Sequence, residues 1–265
     1  MIKRRLIVMT LSLSVMIKVI ACPITAEDKM TGGQCVNVND IELYINVTGK
    51  SKSTVLFITG LGDDTSVWKQ VIPEVSQFAR VITYDRAGLG KSEACANCQT
   101  LSARDSMIML HQLLQKTKVV PPYIVVGHSI GGLYAQLFAQ MYPKEITGVV
   151  LLDSSSRNET IFDHHPPKTA GYYKEAIAFN ESRQQLKNIG HFPNVPLIIL
   201  TATSHPGYES REPLWQKWQS EFMSLSPKSV QIIAWGSGHY IEKDQPQLVV
   251  DAIATIIQQS GKNRV

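Results

Sequence analysis

Apolar residues follow two rhythms along most of this chain. From Cys35, CVNVNDIELYINVTG alternates apolar and polar positions, the period of half-buried strands, and predicts an antiparallel opening pair. Short continuous apolar runs follow in STVLFITG, RVITYD, PYIVVG, ITGVVLLD, NVPLIILTA and SVQIIAWG, each suited to a strand covered on both faces. Between them, LSARDSMIMLHQLLQKT, GGLYAQLFAQMYP, PLWQKWQSEFMSLS and QPQLVVDAIATIIQQS predict helices; apolar residues recur three and four apart, Pro143 stops the second and Pro246 opens the last. Strands alternating with helices predict an α/β fold, a mainly parallel sheet with helices on both faces. From Ser154 to Asn194 the rhythm fails: the stretch is polar and irregular, with DHHPPK and one helical-looking piece, YYKEAIAFNESRQQLKNI. An insertion of this kind is expected to form a lid over a site.

A length of 265 residues, with 44% apolar and 18% charged residues, suits one sizeable globular domain. The net charge of +4 comes without a basic stripe interleaved with aromatics, so a nucleic-acid partner is not expected.

The N-terminus reads as an export signal. Lys3, Arg4 and Arg5 precede an apolar run from Leu6 to Ile17, and small residues follow. The run is short for a membrane span, and Lys18 ends it. The expectation is that residues 1–26 are removed and that 27–265 reach the periplasm or the medium. VIAC also has the shape of a bacterial lipobox, which would lipidate Cys22 and tether the chain to a membrane; Lys18 and Pro23 count against it. In an oxidising compartment the cysteines are disulfide candidates. Cys95 and Cys98 close a tiny loop with no second ligand pair for zinc, and Cys35 is left over, either free or paired in a way the spacing does not reveal.

The stretch VVGHSIGGLYAQLFAQMYP, starting at Val125, sets a serine at the joint of a buried strand and a helix, with Gly127 and Gly131 two residues away on either side. Gly-x-Ser-x-Gly in that setting predicts a nucleophile elbow, with the Ser129 hydroxyl exposed above the sheet's carboxyl edge. A serine needs a base. Seven histidines compete. His128 lies inside the elbow with its side chain directed away from the serine, His111 is in a helix, His164, His165 and His191 are in the insertion, and His205 is in a loop. His239, in AWGSGHYIEKDQP, follows the last strand and rises at the edge where Ser129 stands, so it is the expected base.

In order and spacing, TGLGDDTSVW, YDRAGLGKS, GHSIGG and SGHYIEKDQP resemble the motifs of the α/β-hydrolase-fold superfamily, in its serine esterase and lipase-like members. The resemblance runs from the opening strands to the final helix and implies an eight-stranded type of sheet. It implies an oxyanion hole made by the backbone N–H groups of Leu61 and Ile130, with Gly60 and Gly62 allowing the turn. Thr59 departs from the pattern, standing where the family commonly has His. Asp63 and Asp64 are expected to point outwards or cap the next helix. The acid of the triad has two placements in the superfamily, and they fall on Asp153 and on Glu209; Asp153 is preferred, Asp85 is expected to hold its own turn, and Asp244 is an outside candidate. No cofactor and no metal are implied. The implied reaction is cleavage of small to medium carboxylic esters through an acyl-enzyme, the partner being the small-molecule substrate alone. Amidase or aminopeptidase activity, acyl transfer to other acceptors, and a binding protein without catalysis are the alternatives. Phe162, Tyr172, Tyr173, Phe179 and Phe192, with Trp215 and Trp218, would line an acyl pocket or pack the insertion onto the body, most of them the latter. The oligomeric state is not legible.

Overall fold

A computed structural model describes residues 22–159 and 169–262. Eight strands form one sheet: β1 Gly33–Val38, β2 Ile41–Thr48, β3 Thr54–Ile58, β4 Arg80–Tyr84, β5 Tyr123–His128, β6 Ile146–Leu152, β7 Leu197–Ala202 and β8 Ser229–Ala234. Their order is β1-β2-β4-β3-β5-β6-β7-β8. β2 runs antiparallel to β1 and β4, and all other pairs are parallel. The helices are α1 Ala26–Thr31, α2 Ile72–Phe78, α3 Ala103–Lys116, α4 Ile130–Met141, α5 Ala170–Ile177, α6 Phe179–Lys187, α7 Glu212–Glu221, α8 Ile241–Asp244 and α9 Pro246–Lys262.

The continuous apolar runs make sense because each central strand is covered twice. In β3, Leu56 and Ile58 join the core on the side of α3 and α4, while Val55 and Phe57 join the core on the side of α2 and α9. β5, β6 and β7 divide in the same way: Val125, Leu151 and Ile199 go to one side and Val126, Leu152 and Leu200 to the other. Full burial of each such side chain contributes about 1.5–3 kcal/mol before entropy is counted. α4 has no polar face and is buried from Ile130 to Ala139 between the sheet and its neighbouring helices, as a helix apolar all round must be. Ser102 and Asp105 form a capping box that starts α3.

Two readings change at the chain's ends and in the insertion. The Cys22–Cys35 disulfide ties the entering chain to β1, and Cys95 pairs with Cys98, so Cys35 is not left over. Thr25 caps α1 through a reciprocal bond with Asp28. YYKEAIAFNESRQQLKNI is two helices, α5 and α6, because buried Ala178 leaves helical geometry at ψ 0°. Residues 1–21 of the expected 1–26 leader, with Phe162, His164 and His165, lie outside the described residues. Among the described residues no helix is long and apolar enough to cross a membrane.

The sheet places the site. The chain leaves β3 for β4 on one side and returns to β5 on the other, which opens a crevice beyond the carboxyl ends of β3 and β5. The loop 59–62 ends β3, and Ser129 ends β5.

Candidate active site

Ser129 sits between β5 and α4 at φ 55° and ψ −124°. A non-glycine residue there carries strain of about 1–3 kcal/mol and needs the surroundings to hold it. Ser129 N–H donates to the Leu152 carbonyl (3.0 Å), and its own carbonyl accepts from Gly132 and Ser155 N–H, both at 2.9 Å. The flanking glycines are required sterically. A Cβ on Gly127 would lie 2.4 Å from the Gly131 carbonyl oxygen, and one on Gly131 would lie 2.3 Å from that of Ile58. The turn thereby brings the amino end of α4, with the Ile130 N–H, to the mouth of the crevice.

Asp153 follows β6 at φ 40° and is fully buried. Its Oδ2 accepts from His239 Nδ1 at 2.7 Å and from His205 Nε2 at 2.7 Å, and its Oδ1 accepts from Trp215 Nε1 at 2.8 Å and from Ala202 N–H at 3.1 Å. Burial alone would raise this carboxyl's pKa, but the bonds from His205 and His239 hold it well below the usual carboxylate range. Asp153 is therefore an anion with all its directions engaged.

His205, an ordinary loop position by sequence, joins this cluster. Its second nitrogen, Nδ1, lies 2.6 Å from Glu212 Oε2, so each ring nitrogen meets a carboxylate. Two acceptors require two N–H donors, which only the imidazolium offers. Burial works against the charge, but the two carboxylates outweigh it and push the pKa up to about 9. The only hint in the sequence was its place just beyond a strand end.

His239 lies beyond β8, with its imidazole directed to Asp153 and its carbonyl held by His128 Nε2 at 2.9 Å. His128 is thus the Nε2–H tautomer, and burial with the neighbouring His239 keeps it neutral by lowering its pKa well below the ordinary value. Glu242, buried on α8 with its Oε1 3.7 Å from His128 Nδ1, is pushed by that burial up to about 8. Together they form a neutral floor under the His239 loop. Asp244, the outside candidate, accepts from Gly238 N–H at 2.7 Å and braces the loop.

Other expectations need correcting. Glu209 is exposed on a short turn, where its carboxylate accepts from Gly207 N–H at 3.0 Å; it is not the carboxylate that meets His239. The segment after β7 carries it outwards, whereas Asp153 is drawn inwards as its N–H bonds the Leu200 carbonyl of β7. Asp64 does cap the turn that follows, through Ser66 N–H, but Asp63 does not point outwards. It lines the crevice, and desolvation raises its pKa. Asp85 holds its own turn by accepting from Thr65 and Lys91 N–H.

The crevice is a cavity of about 380 Å³ whose wall includes Leu61, Ser129, Ile130, His205, Trp215 and His239. The structure therefore brings together five of the six site residues named from sequence: Ser129, Ile130 and Leu61 from one side, Asp153 and His239 from the other. Of the aromatics, Tyr172, Trp215 and Trp218 reach the cavity, Phe179 and Phe192 pack on the core, and Tyr173 is exposed. Asp153, His205 and His239 also have the donor types of a metal site, with their atoms within 4.8 Å of one another. Both nitrogens, however, sit at hydrogen-bond distance from one oxygen, so the group is built as a hydrogen-bonded cluster.

The wider comparisons agree with this architecture. Solved structures share the fold. A candidate lipase of Acinetobacter baumannii matches with a TM-score of 0.75 at 18% identity, covering 90% of this chain and 95% of its own. A meta-cleavage product hydrolase of Pseudomonas fluorescens gives 0.70 at 14% identity, covering 87% and 99%. In sequence, the uncharacterised protein YqjL of Bacillus subtilis is 32% identical over 213 residues, 77% of this chain and 83% of its own length. The family profile of the alpha/beta hydrolase fold spans residues 53–243, from β3 through the loop of His239. With that sheet, that order of motifs and that match, the chain belongs to the alpha/beta hydrolase fold family.

Proposed function

We propose that this chain is an exported serine hydrolase that cleaves carboxylic esters of small to medium acyl groups, with Ser129 as nucleophile, His239 as base and Asp153 as acid. One observation carries the reading: the His239 imidazole is hydrogen-bonded through Nδ1 to a buried Asp153 carboxylate and shares the cavity wall with Ser129. In that arrangement Nδ1 keeps its proton and Nε2 is free to accept one.

His239 Nε2 takes the Ser129 proton as Oγ attacks the ester carbonyl. The Leu61 and Ile130 N–H groups hold the developing oxyanion, a contribution of about 2.7–4 kcal/mol for each donor lost in comparable sites. The imidazolium, stabilised by Asp153, then protonates the leaving alcohol. In the second half water attacks the acyl-enzyme, and the same imidazole removes its proton and returns one to Ser129. A cavity of about 380 Å³ with Leu61, Leu214, Trp215 and Trp218 in its wall suits a compact apolar acyl group. Two disulfides support passage through an oxidising compartment, in keeping with the basic and apolar leader.

The test is labelling of the purified chain by a fluorophosphonate probe beside Ser129→Ala, followed by p-nitrophenyl esters of increasing acyl length. Rapid labelling of the wild type alone is expected. A folded wild type that resists the probe and leaves every ester intact would refute the assignment.

A further inference from the structure

Arg86, two residues beyond β4, is a buried cation with every direction of its guanidinium occupied. Nε donates to Glu175 Oε1 at 2.5 Å and Nη2 to Glu175 Oε2 at 3.0 Å. Nη1 donates to the Thr59 carbonyl and hydroxyl, both at 2.7 Å, and Nη2 donates to the Gly60 carbonyl at 2.7 Å. The two side chains are 2% and 0% exposed, so the pair is shut away from water. Burying two charges is costly, and replacing such a pair by apolar residues is often neutral or favourable for stability. Stability alone is therefore a weak account of this one.

What the guanidinium holds is more telling. The Gly60 carbonyl belongs to the same peptide unit as the Leu61 N–H. That unit is planar and trans, so its C=O and N–H point in opposite directions. Anchoring the oxygen on buried Arg86 turns the Leu61 N–H the other way, and Leu61 lines the cavity together with Ser129. The turn's own bond, Asp63 N–H to the Gly60 carbonyl, is longer at 3.2 Å. The Thr59 hydroxyl, where the wider family commonly has an imidazole, accepts from Arg86 and donates to the Asp63 carbonyl at 3.1 Å. Glu175 comes from α5, in the segment between β6 and β7, so that segment completes a support for a loop far away in the chain.

We propose that Arg86 and Glu175 are a positioning pair for the oxyanion site: Glu175 clamps the guanidinium, and the guanidinium fixes the Gly60–Leu61 peptide with its N–H towards the cavity. The proposal rests on the acyl-transfer reading above. Neither residue touches the reacting atoms; both act through the Leu61 N–H.

The experiment compares Glu175→Gln, Arg86→Met and the double variant Arg86→Met/Glu175→Met with the wild type. Melting temperature, kcat and KM on a p-nitrophenyl ester, and affinity for a trifluoromethyl ketone that mimics the tetrahedral state are measured on each. The single variants should lose about 10- to 100-fold in kcat, less than the loss of a whole donor, with KM little changed and ketone affinity falling in parallel. The double variant should recover its melting temperature but not its kcat. Singles that fold and keep wild-type kcat and ketone affinity would overturn the proposal, as would a double variant whose kcat returns along with its melting temperature. A crystal structure of the double variant reads the Gly60–Leu61 peptide directly, whether or not the wild type proves to cleave esters. A rotated peptide supports the pair's role, and an unchanged one overturns it.

Discussion

Two buried charge clusters flank the cavity, and they are built in opposite ways. At the ends of β3 and β4 a cation, Arg86, gathers the Thr59 and Gly60 carbonyls, the Thr59 hydroxyl and the carboxylate of Glu175. At the ends of β6 and β7 an anion, Asp153, gathers two imidazoles, an indole N–H and a backbone N–H. The guanidinium keeps its charge throughout the pH range of a folded protein, so the first cluster is a fixed support. The second is built on two imidazoles, whose ring nitrogens can both give and take a proton, and suits the movement of protons. Each borrows its outer carboxylate from a helix beyond the sheet edge: Glu175 from α5, after β6, and Glu212 from α7, after β7.

The sharpest test of this contrast is Asp153→Asn. An amide presents N–H where His239 and His205 both need an acceptor, so the imidazole loses its tautomer and its stabilised cation. The expected loss in kcat/KM on an ester is about 10³–10⁴-fold, larger than for either Arg86 or Glu175. A loss within tenfold would erase the distinction between the supporting side and the proton-moving side.

A second test uses pH. The pKa of His205 stands at about 9 against an ordinary 6.5, so the folded state binds its proton more tightly than the unfolded chain. That contribution to stability is fully present below pH 6.5 and is lost as pH rises through about 9. The gap in melting temperature between the wild type and His205→Gln should therefore shrink from pH 6.5 to 9. The corresponding gap for Glu175→Gln should show no such loss over the same range. A pH-independent gap at His205 would mean that no protonated imidazole lies between the two carboxylates.

The smallest effect is expected at Glu209. Its carboxylate is exposed and caps a surface turn, so Glu209→Gln should leave ester turnover within about twofold of wild type and hardly alter the melting temperature. A large loss would move the acid away from Asp153 and dissolve the contrast from the other end.

How legible these clusters were differs for a physical reason. Thr59 to Gly62, Ser129 and His239 stand in short contiguous motifs whose local backbone demands, tight turns and strand ends, leave a mark in the sequence. Asp153 was a choice between two carboxylates, because selecting one requires knowing which strand tips are neighbours; the parallel pairing of β5 with β6 and of β6 with β7 decides it. Glu212 and Glu175 had no signal of their own, and His205 had only its place just beyond a strand end. A histidine in a polar loop and a glutamate on an amphipathic helix look alike whether they face water or a buried partner.

The sequence by itself determined the alternation of strands and helices, the two-sided burial of the central strands and the glycine-flanked turn at Ser129. All of these follow from periodicity and steric limits that act between residues near in the chain. Only the tertiary structure decided that Cys22 meets Cys35, that Glu209 faces outwards, and that Asp153 holds two imidazoles. It alone brought Glu175 to Arg86, 89 residues away. Charges are paired in three dimensions because a buried charge must find its counterpart wherever the fold places one, and chain distance does not enter that requirement.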